Sequence, residues 1–271
     1  MKIGIFDSGF GGLSIFRAIK DKLPDFDYVY LGDSARAPYG NNSHEVIYQY
    51  VVEAVNYLFK QDCKLIILAC NTASAQALRR LQQEWLSNNY PDRKVLGVIR
   101  PIAEAAAKLN GSGKIGVIGT RATIKAGVYT KEIEKELGDK ADILEKSCPV
   151  LVPLIEEGFH KRPEMKKILR YYLRPLKEKN VKILINGCTH YQLLHHMIER
   201  IMGKNVSILD SAVVVSDSLA DYLKRHPEIE NDLKKEGQTR FLTTDDDVDR
   251  FNRLASQFFG QPVKANQVSL S

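Results

Sequence analysis

Short apolar runs alternate with longer amphipathic stretches through most of this chain. Between residues 46 and 58 the apolar positions recur every three or four residues, which predicts a helix with one buried face. The pattern predicts helices at 45–61, 73–88, 122–137 and 163–179, and strands at 2–6, 28–31, 65–68, 95–98, 114–118, 143–144, 183–185 and 207–209. Regular alternation of the two predicts mostly parallel sheets, right-handed crossovers and helices on both faces.

The chain also carries an internal repeat. The segment KIGIFDS that begins at Lys2 resembles KIGVIGT, which begins at Lys114, and each precedes a predicted helix. A lysine, an apolar run and a cysteine then recur in the two segments that end at Cys70 and Cys188. We therefore expect an α/β protein with two pseudo-symmetric three-layer α/β/α halves, whose strand ends share one cleft.

The repeat also predicts where the halves divide. We expect residues 1–98 together with 207–271 to form the half that carries Cys70, and residues 99–206 to form the half that carries Cys188. A turn at Gly111, Ser112 and Gly113 lies close to the predicted switch between them. The residues from 207 onward have no counterpart in the second half, and we expect them to complete the first.

The two cysteines at matching strand ends are the strongest chemical signal. An unperturbed thiol is only a few per cent ionised at neutral pH, and a helix N-terminus or an imidazolium lowers its pKa. Each cysteine precedes a predicted helix, and His190 follows Cys188 closely. A lone apolar-flanked cysteine is usually a small buried hydrophobe, whereas two matched ones favour a reaction with a base on one face of a carbon and an acid on the other. Cys63 and Cys148 lack this setting, and we interpret them as structural.

An acid, a hydroxyl and three glycines follow the first predicted strand. Asp7 and Ser8 precede Gly9, Gly11 and Gly12, whose backbone amides can approach an anion closely. The turn matches neither the dinucleotide-binding nor the Walker pattern. The alternative is a structural turn in which Asp7 or Ser8 caps a helix. An acid and a hydroxyl together at a strand end favour a site.

Further donors recur at the other predicted strand ends. They are Asn71, Thr72 and Thr189 beside the thiols, Thr120 and Thr123 in the second hydroxyl turn, and Tyr39 and Gly40 in a polar loop. Each has a plainer alternative, a helix cap for a threonine or a packed turn residue for Tyr39. Glu156 and Glu157 follow an apolar run, and the pattern favours exposed charge over a place in the cleft.

Composition narrows the class of protein. With 44% hydrophobic and 27% charged residues, the chain has the balance of a globular protein and lacks the roughly 18-residue apolar run of a membrane span. A strand begins at residue 2 and leaves no room for a signal peptide, so we expect a cytoplasmic protein with reduced thiols. The cysteines and histidines lack zinc-ligand spacing. The net charge of +6 is interspersed with acids and favours an anionic substrate over nucleic acid.

Six motifs occur in one order over nearly the whole chain. They are DSG at 7–9, PYG at 38–40, CNTAS at 70–74, GT at 119–120, CP at 148–149 and GCTHY at 187–191. This set resembles the glutamate racemases, of the cofactor-independent amino-acid racemase superfamily. The resemblance implies interconversion of L- and D-glutamate, which supplies D-glutamate for peptidoglycan, with no cofactor and no metal. It also implies a homodimer that has no membrane partner.

The resemblance assigns roles by position. It implies that Cys70 and Cys188 are acid/base thiols, assisted by Asp7 and His190 respectively. The substrate-binding residues that it implies are Asp7, Ser8, Tyr39, Gly40, Asn71, Thr72, Thr120, Thr189 and His190. It also places Glu156 near the second thiol, and Thr123 is a further candidate from its place in the second hydroxyl turn. Three residues depart from the family pattern, namely Asn186 at a usually apolar place, Gln192 in place of a proline, and Arg100 where an uncharged or acidic residue is commoner. We expect Asn186 and Gln192 to affect rate or fine specificity rather than the reaction class.

Other functions stay open on the sequence. A sister racemase that acts on aspartate or another acidic amino acid fits the same motifs. A decarboxylase of this fold uses one thiol, so the presence of both Cys70 and Cys188 argues against it. A binding protein of a different class, closing on a carboxylate ligand between two lobes, would leave both thiols incidental.

Overall fold

Two parallel sheets form the framework of the molecule. The computed structural model describes residues 1–109 and 113–270, so Gly111 and Ser112 of the predicted turn lie outside the described residues. In this part of the chain all eight predicted strands are confirmed, and two more follow them. The strands are β1 Lys2–Asp7, β2 Tyr28–Gly32, β3 Cys63–Leu68, β4 Lys94–Gly97, β5 Lys114–Gly119, β6 Ile143–Ser147, β7 Val181–Gly187, β8 Ser207–Ile208, β9 Thr239–Thr243 and β10 Ala265–Gln267.

The sheets share one strand order. The first sheet runs β10-β9-β2-β1-β3-β4 and the second runs β6-β5-β7-β8, so β5 to β8 repeat the arrangement of β1 to β4. In each half the pairing with the third strand shifts register after its first residue, at Lys2 in β1 and at Lys114 in β5. Every described pairing is parallel. The predicted pseudo-symmetric α/β fold is therefore confirmed, with sheets that are wholly rather than mostly parallel.

Helices connect successive strands. They are α1 Leu13–Lys22, α2 His44–Lys60, α3 Asn71–Gln76, α4 Leu78–Arg80, α5 Ser87–Asn89, α6 Ile99–Leu109, α7 Arg121–Ala126, α8 Val128–Leu137, α9 Leu151–Glu156, α10 Pro163–Glu178, α11 His195–Met202, α12 Ser211–Arg225, α13 Pro227–Glu230 and α14 Val248–Phe259. Among the described residues, no helix is long and apolar enough to cross a membrane.

Two predicted helices are interrupted. The helix expected at 122–137 breaks at Gly127, whose φ of 62° lies in the left-handed region that favours glycine. The helix expected at 73–88 begins earlier, at Asn71, leaves helical register at Ala77 and widens into a π-helical segment at Leu81–Leu86. Apolar periodicity alone does not register such breaks, because the buried face continues through them.

The C-terminal segment returns to the first sheet. Strand β9 pairs with β2 and β10 pairs with β9, which extends that sheet beyond β2. Strand β8, by contrast, pairs with β7 in the second sheet. The boundary expected at residue 207 therefore falls too early, because Ser207 and Ile208 hydrogen bond within the second sheet.

Two helical connections join the halves. Helix α6 leads from the first sheet to the second, and α12 leads back. Helix α12 packs against both α1 and α6. One apolar cluster runs from Ile3 and Ile5 of β1 to Ile115 and Val117 of β5. The two halves therefore share a core on one side, which positions the ends of their strands around a common cleft.

Asp27 fixes the returning segment to the first sheet. Its buried Oδ1 accepts hydrogen bonds from the backbone amides of Glu236 and Gln238, just before β9. We predict that Asp27→Ala lowers the free energy of unfolding by about 2 kcal/mol, because both amides lose their acceptor. Asp25→Ala, at an exposed site two residues earlier, is the matched control. Urea denaturation measures both, and an equal effect of the two substitutions would contradict this role.

Candidate active site

Both predicted thiols lie just beyond the third strand of their half. Cys70 is the N-cap of α3, and its Sγ accepts the backbone amide of Ala73 at 3.5 Å. Ser8, at the end of β1, places its Oγ 3.3 Å from the same sulfur. Cys188 follows β7 and precedes a short 3₁₀ turn, Thr189–Leu194. Cys70 is 5% exposed and Cys188 is 8% exposed, so both thiols are almost fully removed from water.

His190 links the second thiol to a carboxylate. Its Nδ1 lies 4.0 Å from Sγ of Cys188, and its Nε2 lies 3.1 Å from Oε1 of Glu156. The sequence pattern favoured an exposed Glu156, and that expectation was wrong. Helix α9 ends at Glu156 and packs against the 3₁₀ turn that carries His190, which turns this side chain inward. Glu157 is exposed as expected.

A glycine brings the first half into contact with the second. A Cβ at Gly11 would lie 2.5 Å from Oγ1 of Thr189 and 2.7 Å from Nδ1 of His190, so a larger residue would force the two loops apart. The glycine-rich turn after β1 therefore serves close approach between the halves at this point.

Asp7 is buried in the same turn. Its carboxylate accepts the backbone amide of Gly9 at 3.0 Å and the hydroxyl of Thr189 at 3.4 Å. The alternative that Asp7 or Ser8 caps a helix was wrong, because the N-cap residue of α1 is Gly12 and α1 has no side-chain capping hydrogen bond. Asp7 thus connects its own loop to the loop that follows Cys188.

Three threonines and Gly40 form a second contact between the halves. Oγ1 of Thr72 lies 2.9 Å from Oγ1 of Thr120 and 3.2 Å from Oγ1 of Thr123. Thr120 also caps α7 by accepting the Thr123 amide at 3.2 Å, so the cap and the cleft position coexist. A Cβ on Gly40 would lie 2.7 Å from Cβ of Thr120, which places the polar loop directly over this cluster.

Asp33 anchors that loop, and sequence reasoning missed it. The buried Tyr39 hydroxyl donates to Oδ2 of Asp33. Asp33 also accepts from Nε of Arg36 at 2.7 Å and from the hydroxyl of Thr244 at 2.8 Å. A signal was available, since Asp33 directly follows β2 as the other polar candidates follow their strands. Its network extends to Thr244 beyond β9, which no local pattern reveals.

These groups surround a narrow cavity of ≈ 30 Å³, with room for about two water molecules. It is lined by Ser8, Ala37, Pro38, Tyr39, Gly40, Asn41, Cys70, Asn71, Thr72, Thr120, Arg121, Pro149, Val152, Pro153, Glu156, Cys188, Thr189 and His190. Of the predicted site residues, Asp7 and Thr123 do not line it and instead contact residues that do. Arg121 and Asn41 line it without having been predicted.

Burial dominates the protonation of Cys70. It raises the pKa of this thiol to about 12, and the negative charge of Asp7 adds to the effect. Hydrogen bonds from Ser8 and from the Ala73 amide oppose the rise without cancelling it. The N-terminus of α3 does lower the pKa of this thiol as expected, through the Ala73 amide, but desolvation exceeds the effect of one amide and the pKa rises overall.

The second thiol has a cation beside it. Burial disfavours the charged ring of His190, but its hydrogen bonds to Cys188 and Glu156 outweigh burial and raise its pKa to about 10. The ring is therefore protonated at neutral pH and places a positive charge 4.0 Å from the sulfur of Cys188. Burial likewise raises the pKa of Asp7, although the charge of His190 works against it. The cleft thus holds one thiol that retains its proton and one beside a cation.

The three residues that depart from the family pattern lie in different settings. Asn186 is 5% exposed on β7, and neither polar atom of its side chain has a partner among the described residues. Gln192 is half-buried in the 3₁₀ turn after Cys188. Arg100 is exposed on α6 and pairs with Glu104 at 2.7 Å. Only Asn186 and Gln192 therefore lie close to Cys188 along the chain.

The histidine, cysteine and carboxylate side chains of the described residues do not form a metal site. Over residues 1–109 and 113–270, no three side chains of the types His, Cys, Asp and Glu are grouped so that they could hold a metal. Cys63 and Cys148 are buried, and all four thiols are unpaired.

Residues 13–217 match the profile of the Asp/Glu/Hydantoin racemase family. A glutamate racemase of Persephonella marina is 42% identical to this chain and covers 100% of it, with 98% of that protein aligned. A glutamate racemase of Aquifex aeolicus is 45% identical, and the match covers 83% of this chain and 84% of that protein.

Solved structures resemble the whole fold. A glutamate racemase isoform from Bacillus anthracis superimposes with a TM-score of 0.89 at 33% identity, covering 99% of this chain and 97% of the other. The glutamate racemase from Francisella tularensis, in complex with D-glutamate, has a TM-score of 0.87 at 32% identity with the same coverage. The strand order described above therefore belongs to a fold with known relatives.

The contact between Glu156 and His190 has a measurable consequence. We predict that Glu156→Gln lowers the pKa of His190 below its value of about 10, because the imidazolium loses a charged partner. The charged ring then persists over a narrower pH range and is lost earlier as pH rises. NMR titration of the ring measures the change. Glu157→Gln, at the exposed neighbour, should leave the titration unchanged, and equal titration of both variants would refute the contact.

Proposed function

This chain belongs to the Asp/Glu/hydantoin racemase family, and on that premise we propose that it interconverts L- and D-glutamate without a cofactor. Cys70 and Cys188 are the two acid/base groups of this proposal. The observation that carries it is their placement at equivalent strand ends around one cavity. The names of the two relatives described above favour glutamate as the substrate.

Inversion of a carbon centre calls for two groups on opposite faces. The proton must leave the α-carbon on one face, and another proton must arrive on the other. A single base would have to travel around the substrate, whereas two fixed thiols need not. Because Cys70 and Cys188 come from different halves, we assign one to each face of the bound amino acid.

Their unequal surroundings suggest a resting state. Cys70 retains its proton, since burial and Asp7 raise its pKa to about 12. Cys188 has the protonated His190 beside it, with Nδ1 of the ring 4.0 Å from its sulfur. We propose that Cys188 acts as the base and Cys70 as the acid in one direction. The opposite enantiomer then requires the roles to be exchanged, with Asp7 and His190 assisting their respective thiols.

The donors around the thiols would hold the substrate carboxylates. We assign this role to the lining groups Ser8, Tyr39, Gly40, Asn71, Thr72, Thr120, Thr189 and His190. Hydroxyls and amides directed at a carboxylate disperse the charge that develops when the α-proton leaves. Each factor of ten in rate requires about 1.4 kcal/mol of such stabilisation, so several donors must act together.

Substrate entry requires the cleft to widen. A dicarboxylic amino acid is several times larger than the two water molecules that the cavity of ≈ 30 Å³ can hold. We propose that the halves separate to admit the substrate and then close, which excludes water from the thiols. The shared core of α6 and α12 on one side gives this movement a hinge.

We propose that the two halves that move are residues 1–98 with 209–271, and residues 99–208.

We further propose that the D-glutamate serves peptidoglycan synthesis in the cytoplasm, a compartment supported by the four unpaired thiols. A homodimer is the expected assembly, which light scattering tests. Deletion of the gene should create a requirement for external D-glutamate.

Loss of either thiol should abolish racemisation. We predict that Cys70→Ser and Cys188→Ser each lower kcat/KM by at least about a hundredfold, because serine is a far weaker acid and base partner. The loss must be equal in both directions, since enantiomers have the same free energy. Polarimetry with each enantiomer measures it. Cys63→Ser, a buried thiol at the far end of β3, is the control and should remain close to the wild type. Full activity in either active-site variant would end the two-thiol account.

The substrate should be glutamate rather than aspartate. We predict that kcat/KM for glutamate exceeds that for aspartate by at least about tenfold, because one missing methylene draws the side-chain carboxylate away from its donors. Chiral chromatography after incubation with each amino acid measures this ratio. A preference for aspartate would make the protein a sister racemase. Binding of glutamate with no turnover of any acidic amino acid would favour a binding protein.

A further inference from the structure

Tyr129 lies between the chain segments that carry the two thiols. It belongs to α8 of the second half and is 1% exposed. Its hydroxyl donates to Oδ1 of Asn71 at 2.6 Å, and Asn71 directly follows Cys70. A Cβ on Gly187 would lie 3.1 Å from Cε2 of the Tyr129 ring, and Gly187 directly precedes Cys188. One side chain therefore contacts a neighbour of each thiol.

The hydroxyl of Tyr129 determines how the amide of Asn71 is oriented. Burial raises the pKa of this phenol, and the negative charge of Cys188 adds to the rise, so the phenol remains a donor. An amide oxygen that accepts from this donor leaves its NH₂ group as the free end. Asn71 is 3% exposed and lines the cavity. The free NH₂ is thus available as a donor to an anion in the cavity.

We propose that Tyr129 is a positioning residue, which acts through Asn71 to present an N–H donor to a substrate carboxylate. Without the hydroxyl, the Asn71 amide is free to turn end for end and present its oxygen, which repels a carboxylate. The ring packs beside Gly187, so the hydrogen bond to Asn71 is positioned relative to the segment that carries the second thiol. This inference rests on the proposed function, since it requires Asn71 to bind a carboxylate of the amino acid.

The substitution Tyr129→Phe removes the hydroxyl and keeps the ring. We expect kcat/KM for glutamate to fall roughly tenfold, the value of one hydrogen bond. Most of the loss should appear as a higher KM, because a carboxylate is bound in the ground state and the transition state alike.

Tyr28→Phe is the matched control. Tyr28, the first residue of β2, is also 1% exposed, and its hydroxyl donates to the carbonyl of Leu23 at 2.6 Å. The Tyr28→Phe variant should lose similar stability in thermal unfolding and keep the wild-type KM.

A double-mutant cycle separates positioning from packing. Because Tyr129 acts through Asn71, adding Tyr129→Phe to Asn71→Ala should cost little further activity. Two effects that multiply independently would overturn the inference, as would a KM for Tyr129→Phe no higher than that for Tyr28→Phe. Failure of the proposed function would look different, because the wild-type protein itself would then not racemise glutamate.

Discussion

The site depends on one geometric constraint, which is that the turns after the strands of one half lie against those of the other half with no room for extra side chains. Gly11 has no room for a Cβ against the loop after Cys188, and Gly40 has none against Thr120. Both sheets place the third strand beside the first. This order puts each thiol next to the polar turn of its own half, while the close approach puts it next to the other half as well.

Symmetry of the backbone does not extend to the charges. Cys70 has Asp7 and Ser8 for neighbours, and burial with that negative charge raises its pKa to about 12. Cys188 has His190, whose proton is retained with the help of Glu156 up to a pH of about 10. Duplicated strands thus bring two like groups to one cavity, and the neighbours of the two thiols carry opposite charges. Two copies of one residue type thereby acquire different electrostatic surroundings while the backbone around them stays alike.

The first eight strands and the placement of both thiols on one cavity were predictable, because strand-length apolar runs and residues at strand ends are local signals. Strands β9 and β10 were not predicted, since Thr239–Thr243 and Ala265–Gln267 are short and polar. Asp33 and the Tyr129 hydroxyl also escaped prediction, and the apolar pattern alone assigned Glu156 to the surface although the resemblance named it as a candidate. Each depends on a contact between residues far apart in sequence, which only the packing of the two halves creates. The net rise in the pKa of Cys70 was not predictable for a related reason, because the burial that causes it depends on the packing of the whole fold.

The most direct test of the two-thiol account is proton exchange at the α-carbon in deuterated water. Purified protein without added cofactor is given one enantiomer of glutamate, and NMR follows deuterium in substrate and product at early times. Two separate thiols predict that the product carries deuterium while the remaining substrate keeps its proton, because a different, solvent-exchanged group delivers the new proton. Transfer of the original proton to the product, or equal early labelling of both enantiomers, would reveal a single base and contradict the account.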